Sequence, residues 1–217
     1  MLEVGFQRRG RSPFRILCLG AHCDDIEIGC GGTILRLARE LPGCEIRWVV
    51  FSSSPERRGE ALACANRFLK GARFKQASVG TYRDSFLRYS GEQIKEEFEE
   101  IKAGFSPDVI FTHYRDDLHQ DHRLLCEFTW NTFRNHLILE YEIPKYDGDL
   151  GRPNFYVTLT EAQCRKKIKL ILDCFRSQRT KHWFDEATFR SLLRLRGMEA
   201  NAPTRFAEAF YCRKMAF

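Results

Sequence analysis

The chain lacks any long apolar run: across its 217 residues the longest stretches free of Asp, Glu, Lys and Arg span eight positions, 48–55 being one of them. A membrane-crossing helix needs roughly 20 consecutive, mostly apolar residues, so no span is expected. Arg8, Arg9, Arg11 and Arg15 are followed by no apolar core of about 7–15 residues before Asp24 and Asp25, which argues against a cleaved secretory signal. A cytoplasmic protein is the expectation. The nine cysteines contain no Cys-x-x-Cys pair and their number is odd, so a disulfide framework is not expected. Cys18, Cys64, Cys126, Cys174 and Cys212 read instead as reduced thiols packed as small hydrophobes. There is no internal repeat, no low-complexity tract and no run of five or six like charges.

What is present describes a globular chain, with 43% hydrophobic and 29% charged residues, 15 Gly and 7 Pro. At about 150 residues per domain, the length suits one sizeable core with little to spare. Thirty-five Lys and Arg against 29 Asp and Glu leave +6, but the basic residues are scattered and read as solvated helix faces. No nucleic-acid partner is expected. Residues 1–13 are rich in Arg and Gly without periodicity and read as a flexible leader, ahead of a single domain over 14–217. Within it, 14–140 carries the motifs and 141–217 forms a region of loops and helices suited to substrate.

From Phe14 onward, short β-type runs alternate with helix-type segments. Strands are predicted at 15–20, 45–52, 75–79 and 108–113, and helices at 32–41, 55–69 and 91–103. Continuously apolar runs such as Ile16-Leu17-Cys18-Leu19 and Val109-Ile110-Phe111 suit parallel strands covered on both faces. The fold class is α/β, a Rossmann-like, doubly wound, mainly parallel sheet. Further on, 124–139 has helical spacing, 154–159 and 207–213 read as strands, and 161–175 (behind Thr160 as N-cap) and 188–196 read as helices.

Chemistry gathers where strands end. After the first strand come His22-Cys23-Asp24-Asp25, and after the 108–113 strand the chain runs His113-Tyr114-Arg115-Asp116-Asp117-Leu118-His119-Gln120-Asp121-His122. In an open α/β sheet these positions line one crevice. Ionised acids there are poorly explained as core. Gly29-Cys30-Gly31-Gly32 does not fit the dinucleotide pattern G-x-G-x-x-G, and two acids before it would repel a pyrophosphate; the glycines read as a close turn into a helix. Two imidazoles and a carboxylate match catalytic zinc sites that keep a position open for water. A neighbouring carboxylate that is not a ligand, Asp24, can take the proton of an attacking water, and a non-ligating histidine can stabilise an oxyanion.

Ala21-His22-Cys23-Asp24-Asp25, Gly31-Gly32-Thr33, Arg58-Gly59-Glu60-Ala61 and His119-Gln120-Asp121-His122 resemble the motifs of the LmbE-like (PIG-L) family of zinc-dependent N-acetylglucosaminyl de-N-acetylases. The resemblance runs from about Arg15 to Arg123 and resumes at 205–211. It implies that His22, Asp25 and His122 hold the metal, that Asp24 is the general base, that His119 is the oxyanion-stabilising acid and that Asp121 is a supporting carboxylate. Arg58, or else Arg57, falls where the family has a basic residue near substrate. Cys23 replaces the family's usual Pro and raises the question of a thiol ligand. Tyr146 and Arg152, in the turn-rich stretch 141–153, are added as candidate sugar-binding residues, with Trp183 and 179–182 behind them. The expected activity is metal-assisted hydrolysis of an N-acetyl group on an amino sugar, with Zn2+ as cofactor and Fe2+ able to occupy the same ligand set. Homo-oligomerisation is left open. The rival readings are a metal phosphoesterase, which wants two ions, and a non-catalytic sugar- or nucleotide-binding module.

Overall fold

Strands and helices alternate through residues 5–6 and 13–216, which this computed structural model describes. They run β1 (Arg15–Gly20), α1 (Asp25–Glu40), β2 (Glu45–Ser52), α2 (Pro55–Phe68), β3 (Phe74–Tyr82), α3 (Gly91–Gly104), β4 (Val109–His113), α4 (Gln120–Thr132), β5 (Leu137–Tyr141), β6 (Phe155–Leu159), α5 (Glu161–Cys174), α6 (Glu186–Glu199) and β7 (Phe206–Cys212). The sheet order is β3-β2-β1-β4-β5-β7-β6. Neighbours from β3 to β5 pair in parallel, and β7 pairs antiparallel with both β5 and β6. This is the expected doubly wound, mainly parallel α/β domain. Ile16, Cys18, Ile46, Trp48 and Phe111 face a core shared with α1, α2, α5 and α6. Leu17, Leu19, Val49, Phe51 and Ile110 face the opposite core, filled by Ile94 and Phe98 of α3 and Leu125 of α4. Alternate residues of one strand thus serve two apolar layers, which is why the strands are apolar throughout. Among the described residues no helix is long and apolar enough to cross a membrane.

Two sequence expectations need correction. Helix α1 begins at Asp25, seven residues before the predicted 32, so the Gly29–Gly32 run lies inside the helix and makes no turn. The glycines are there for packing. A Cβ on Gly29 would lie 2.2 Å from the Tyr141 ring, on Gly31 2.7 Å from Phe68, and on Gly32 2.4 Å from Leu159. The bare helix surface at Gly32 also lets the buried Glu208 accept the N–H groups of Gly32 and Thr33 at 2.8 and 2.6 Å, while Lys167 joins Glu208 at 2.6 Å. Second, the helix predicted over 124–139 is two elements. Helix α4 stops at Thr132 and Leu137-Ile138-Leu139 pairs as β5 beside β4, a short apolar run that periodicity alone does not separate from buried helix. Within the proposed leader, Phe6 packs its ring 5.9 Å from Phe14 and 6.1 Å from Phe155. The rest of the leader apart from Gly5 and Pro13 lies outside the described residues.

These contacts set opposite signs for two glycine substitutions in helices. Gly29→Ala gains about 1 kcal/mol of helix propensity but drives a methyl into Tyr141, with overpacking that typically costs ~1–3 kcal/mol. We expect a net loss of stability. Gly59→Ala, in α2 where a Cβ meets nothing within 4 Å, should gain roughly 0.5–1 kcal/mol. Urea unfolding of both variants reads the signs; a Gly29→Ala protein as stable as its parent would contradict the close approach.

Candidate metal centre

The strand order changes direction at β1: the chain proceeds outward through β2 and β3, then crosses back to place β4 and β5 on the other side. Loops leaving the carboxyl ends of β1 and β4 therefore diverge and leave a crevice. The first loop supplies His22, Asp24 and Asp25. The second supplies Asp117, His119, Asp121 and His122, with His113 closing β4. The two ends are tied together, because Ala21 N–H donates to His113 Nε2 at 3.0 Å.

The turn between β1 and α1 separates the two adjacent aspartates. Asp25, the first residue of α1, accepts the N–H of His22 at 2.6 Å, which folds its carboxylate inward. Asp24 occupies the N-cap position yet makes no side-chain cap bond; its Oδ1 meets Arg57 Nη2 at 2.7 Å instead. Burial pushes Asp24 above the ordinary carboxylate range, the Arg57 guanidinium opposes that, and the Asp25 charge adds to it.

His22 Nδ1 lies 3.1 Å from His122 Nε2 and 3.3 Å from Asp25 Oδ2, and His122 Nε2 lies 3.5 Å from Asp25 Oδ1. Ligands about 2.05 Å from a tetrahedral ion stand about 3.3 Å from one another. The three donors have that spacing. Their far sides explain why they also have the right protonation. His122 Nδ1 is 2.9 Å from Asp117 Oδ2, and His22 Nε2 is 3.2 Å from Asp84 Oδ1 and 3.4 Å from Asp121 Oδ2. An ionised carboxylate only accepts, so the outer nitrogens carry the protons and the inner ones turn lone pairs toward each other. Two lone pairs beside a carboxylate require a positive charge between them. Without a metal ion that charge is a proton on His22, donated from Nδ1 to His122 Nε2: burial would lower the His22 pKa, but Asp25, Asp121 and Asp84 hold it well above its ordinary value. Burial and the neighbouring His113 push His122 down to about 3, keeping it neutral. Burial alone would raise Asp25, yet His122, His113 and His22 keep it well below the usual range.

Donor atoms also gather within 4.8 Å in the sets His22–His119–His122, Asp25–His113–His122 and His22–Asp84–Asp121. In these, several lone pairs are already in use. His113 Nε2 accepts from Ala21, His119 Nδ1 accepts from Asp121 N–H at 3.2 Å, and Asp121 accepts from the N–H groups of Ser85 and Leu87 at 2.8 and 3.3 Å. Asp121 thereby holds the loop after β3 against α4, beside His22. With its Nδ1 accepting, His119 carries its proton on Nε2; burial and the His22 charge lower its pKa.

The pocket over this cluster encloses about 190 Å³ and is lined by His22, Asp24, Asp25, His119 and His122, with Arg57, Asp84, Lys145, Lys181 and Trp183 around them. Tyr146 stands on its rim, 69% exposed. Two sequence candidates lie elsewhere. Arg58 is exposed and does not line the pocket, because successive helix residues point about 100° apart and Arg57 takes the inward direction. Arg152 is exposed beyond the pocket, since Arg196, held by Glu142 at 2.7 Å, also reaches the Gly151 carbonyl at 3.3 Å and draws the chain away. Cys23 faces the end of β2, its thiol 3.5 Å from the Ser52 carbonyl, and burial pushes it up to about 12. It belongs to none of the candidate donor sets and does not line the pocket.

Asp117 and Lys145 were not singled out from the sequence. Lys145 Nζ is 3.0 Å from Asp117 Oδ2 and also pairs with Asp149, whose Oδ2 accepts the Leu118 N–H at 2.7 Å. Asp117 Oδ1 in turn accepts the His119 N–H at 2.8 Å. Five residues before His122, Asp117 looks no different in sequence from the exposed Asp116 next to it. Only the fold shows which of them faces the imidazole.

Residues 17–133, more than half of the chain, match the family model described as PIG-L, GlcNAc-PI de-N-acetylase. The chain belongs to this family. Its fold is similar to that of the N,N'-diacetylchitobiose deacetylase from Pyrococcus horikoshii, at 22% identity and a TM-score of 0.69, covering 91% of this chain and 83% of that one. It is likewise similar to the conserved protein TT1542 from Thermus thermophilus, at 20% identity and a TM-score of 0.71, covering 93% and 95%. GalB, the 4-carboxy-2-hydroxymuconate hydratase from Pseudomonas putida, shares the fold at 15% identity and a TM-score of 0.69, covering 94% and 98%. Fold alone therefore does not choose the reaction in this PIG-L chain.

The outer carboxylate at His122 gives a direct test. Asp117→Asn leaves the shape nearly unchanged but removes the acceptor charge, and loss of such a partner typically weakens metal binding 10–100-fold. Competition with a chromophoric chelator should show that loss; undiminished affinity would mean that Asp117 does not set the His122 tautomer.

Proposed function

We propose that the protein is a metal-dependent hydrolase that removes the N-acetyl group from an N-acetylglucosamine-type amino sugar, with His22, Asp25 and His122 holding one Zn2+. The observation that carries the reading is the division of labour between adjacent carboxylates: Asp25 faces the two imidazoles, whereas Asp24 lines the same pocket free of them. Two nitrogens and one carboxylate oxygen suit zinc, and Fe2+ can occupy the same set. When bound, the ion polarises the amide carbonyl and lowers the pKa of an attacking water toward about 7.

Asp24 accepts the proton of that water as its oxygen adds to the carbonyl carbon. Arg57, at 2.7 Å, keeps Asp24 aimed and ionised. His119 offers its Nε2–H to the oxygen that gains charge, and needs no second proton to do so. When the C–N bond breaks, the proton held by Asp24 passes to the departing nitrogen, leaving acetate and a free amine. Asp84 and Arg57 at the pocket wall, with Tyr146 and Trp183 at its mouth, are the groups placed to meet sugar hydroxyls and ring faces. A phosphoesterase would need a second ion 3.5–4 Å from the first. Among the described residues the further donor sets that include His22 are already committed: one uses Asp121, whose oxygens serve Ser85 and Leu87, and the other uses His119, whose Nδ1 accepts the Asp121 N–H. All nine cysteines are free, seven of them buried, which fits a reducing, cytoplasmic setting.

Zinc-loaded protein screened against N-acetylglucosamine as free sugar, nucleotide sugar and glycan or lipid conjugate should release primary amine and acetate. Asp24→Asn should lower kcat about 10²–10⁴-fold while keeping the metal. Release unaffected by that change would remove Asp24 from the chemistry, and no release from any acetylated amino sugar would defeat the assignment. Arg57→Ala should raise KM or lower kcat in the same assay, whereas Arg58→Ala should be silent.

A further inference from the structure

Behind the loops that wall the metal pocket lies a second groove of about 310 Å³ that the reaction above does not use. Arg88, Arg115 and Arg123 line it with Gln120 and Trp130, and Glu127 is the one carboxylate among them. None of the three guanidinium groups has an ion-pair partner among the described residues, although ion pairs are frequent elsewhere on this surface. Two of them are nevertheless held in place. Arg123 Nη1 donates to the carbonyls of Asp117 and Leu118 at 2.9 and 2.6 Å, which leaves its remaining N–H edge free. Arg115 stands 5.3 Å from the centre of the Trp130 ring, and that indole is itself fixed by donation to the buried Glu140 at 2.7 Å. A guanidinium lying over an aromatic face keeps its in-plane donors available.

Positioned guanidinium groups without carboxylates to neutralise them present a fork geometry that fits the oxygens of phosphate. A lone carboxylate ligand would be matched by one arginine; three converging cations call for a group with more acceptors and more charge. We propose that this groove binds a phosphate-bearing ligand, a phosphomonoester or diphosphate group, at a place separate from the metal pocket. The Trp130 face supplies a flat wall on which an organic part of the ligand can stack. The groove and the metal pocket share no lining residue but are neighbours: Asp84 lines the metal pocket, Arg88 and Gln120 line this groove, and Gln120 Nε2 donates to the Ser85 carbonyl at 2.5 Å. The assignment is independent of the deacetylase reading.

The test is calorimetric titration of the full chain with inorganic phosphate, pyrophosphate and uridine diphosphate, with a chelator present so that no metal contributes. One saturable site per chain is expected, weakened at least tenfold in the Arg115→Ala, Arg123→Ala double variant and weakened by added salt. Glu127→Gln removes the opposing charge and should tighten binding, a gain that only a folded protein can show. Pyrophosphate binding as tightly as uridine diphosphate assigns the groove to free phosphate; tighter uridine diphosphate assigns it to an organic phosphate seated on the indole. Absence of saturable binding, or an affinity that none of these substitutions changes, overturns the proposal. Amine release is a separate measurement, so failure here leaves the reaction assignment untouched.

Discussion

Two inner imidazole nitrogens facing each other across 3.1 Å, with a carboxylate beside them, form the constraint around which the rest of the site is arranged. That arrangement is unfavourable without a positive charge between the rings. It is maintained from outside, by Asp117 on one ring and by Asp84 and Asp121 on the other. Each of those carboxylates is anchored in turn. Lys145 and the His119 amide hold Asp117, and the amides of Ser85 and Leu87 hold Asp121. The geometry of the candidate cation site is therefore held by groups outside it, the kind of support that histidine ligands generally have.

The sheet supplies the frame. Because β1 and β4 are neighbours whose following loops diverge, His22 and His122, one hundred positions apart, come within hydrogen-bond distance. Helix α1 starts directly beneath the site and lies close to β5 at Gly29, to α2 at Gly31 and to β6 and β7 at Gly32, approaches that the missing side chains permit. Glu208 and Lys167, both buried, then clasp the middle of α1 to β7 and α5. The helix that presents Asp25 is thus fixed along its length, and a group fixed in this way loses little entropy when it binds.

Much of this was legible from residue order. Continuously apolar runs marked β1 and β4, and acids with histidines just past those strands marked the crevice. Thr160, read as an N-cap, marked the start of α5, where the structure adds Gln163 and both reciprocal capping bonds form. Other features were hidden because a different principle governed them. Glycine's low helix propensity suggested a turn at 29–32, but tertiary packing overrode it. Leu137-Ile138-Leu139 continued the periodicity of α4 until strand pairing decided otherwise. Arg57 and Arg58 differ only in which side of α2 they occupy, and Asp116 and Asp117 only in which side of a loop. Such choices rest on which way each of two adjacent side chains faces, about 100° apart on a helix, and local composition does not encode it.

The most direct measurement is the X-ray absorption fine structure of the zinc-loaded protein. The account predicts two imidazole nitrogens and carboxylate or water oxygen at about 2.0–2.1 Å, with no sulfur and no second metal nearby. A sulfur shell at about 2.3 Å, or a metal–metal vector near 3.5–4 Å, would contradict it.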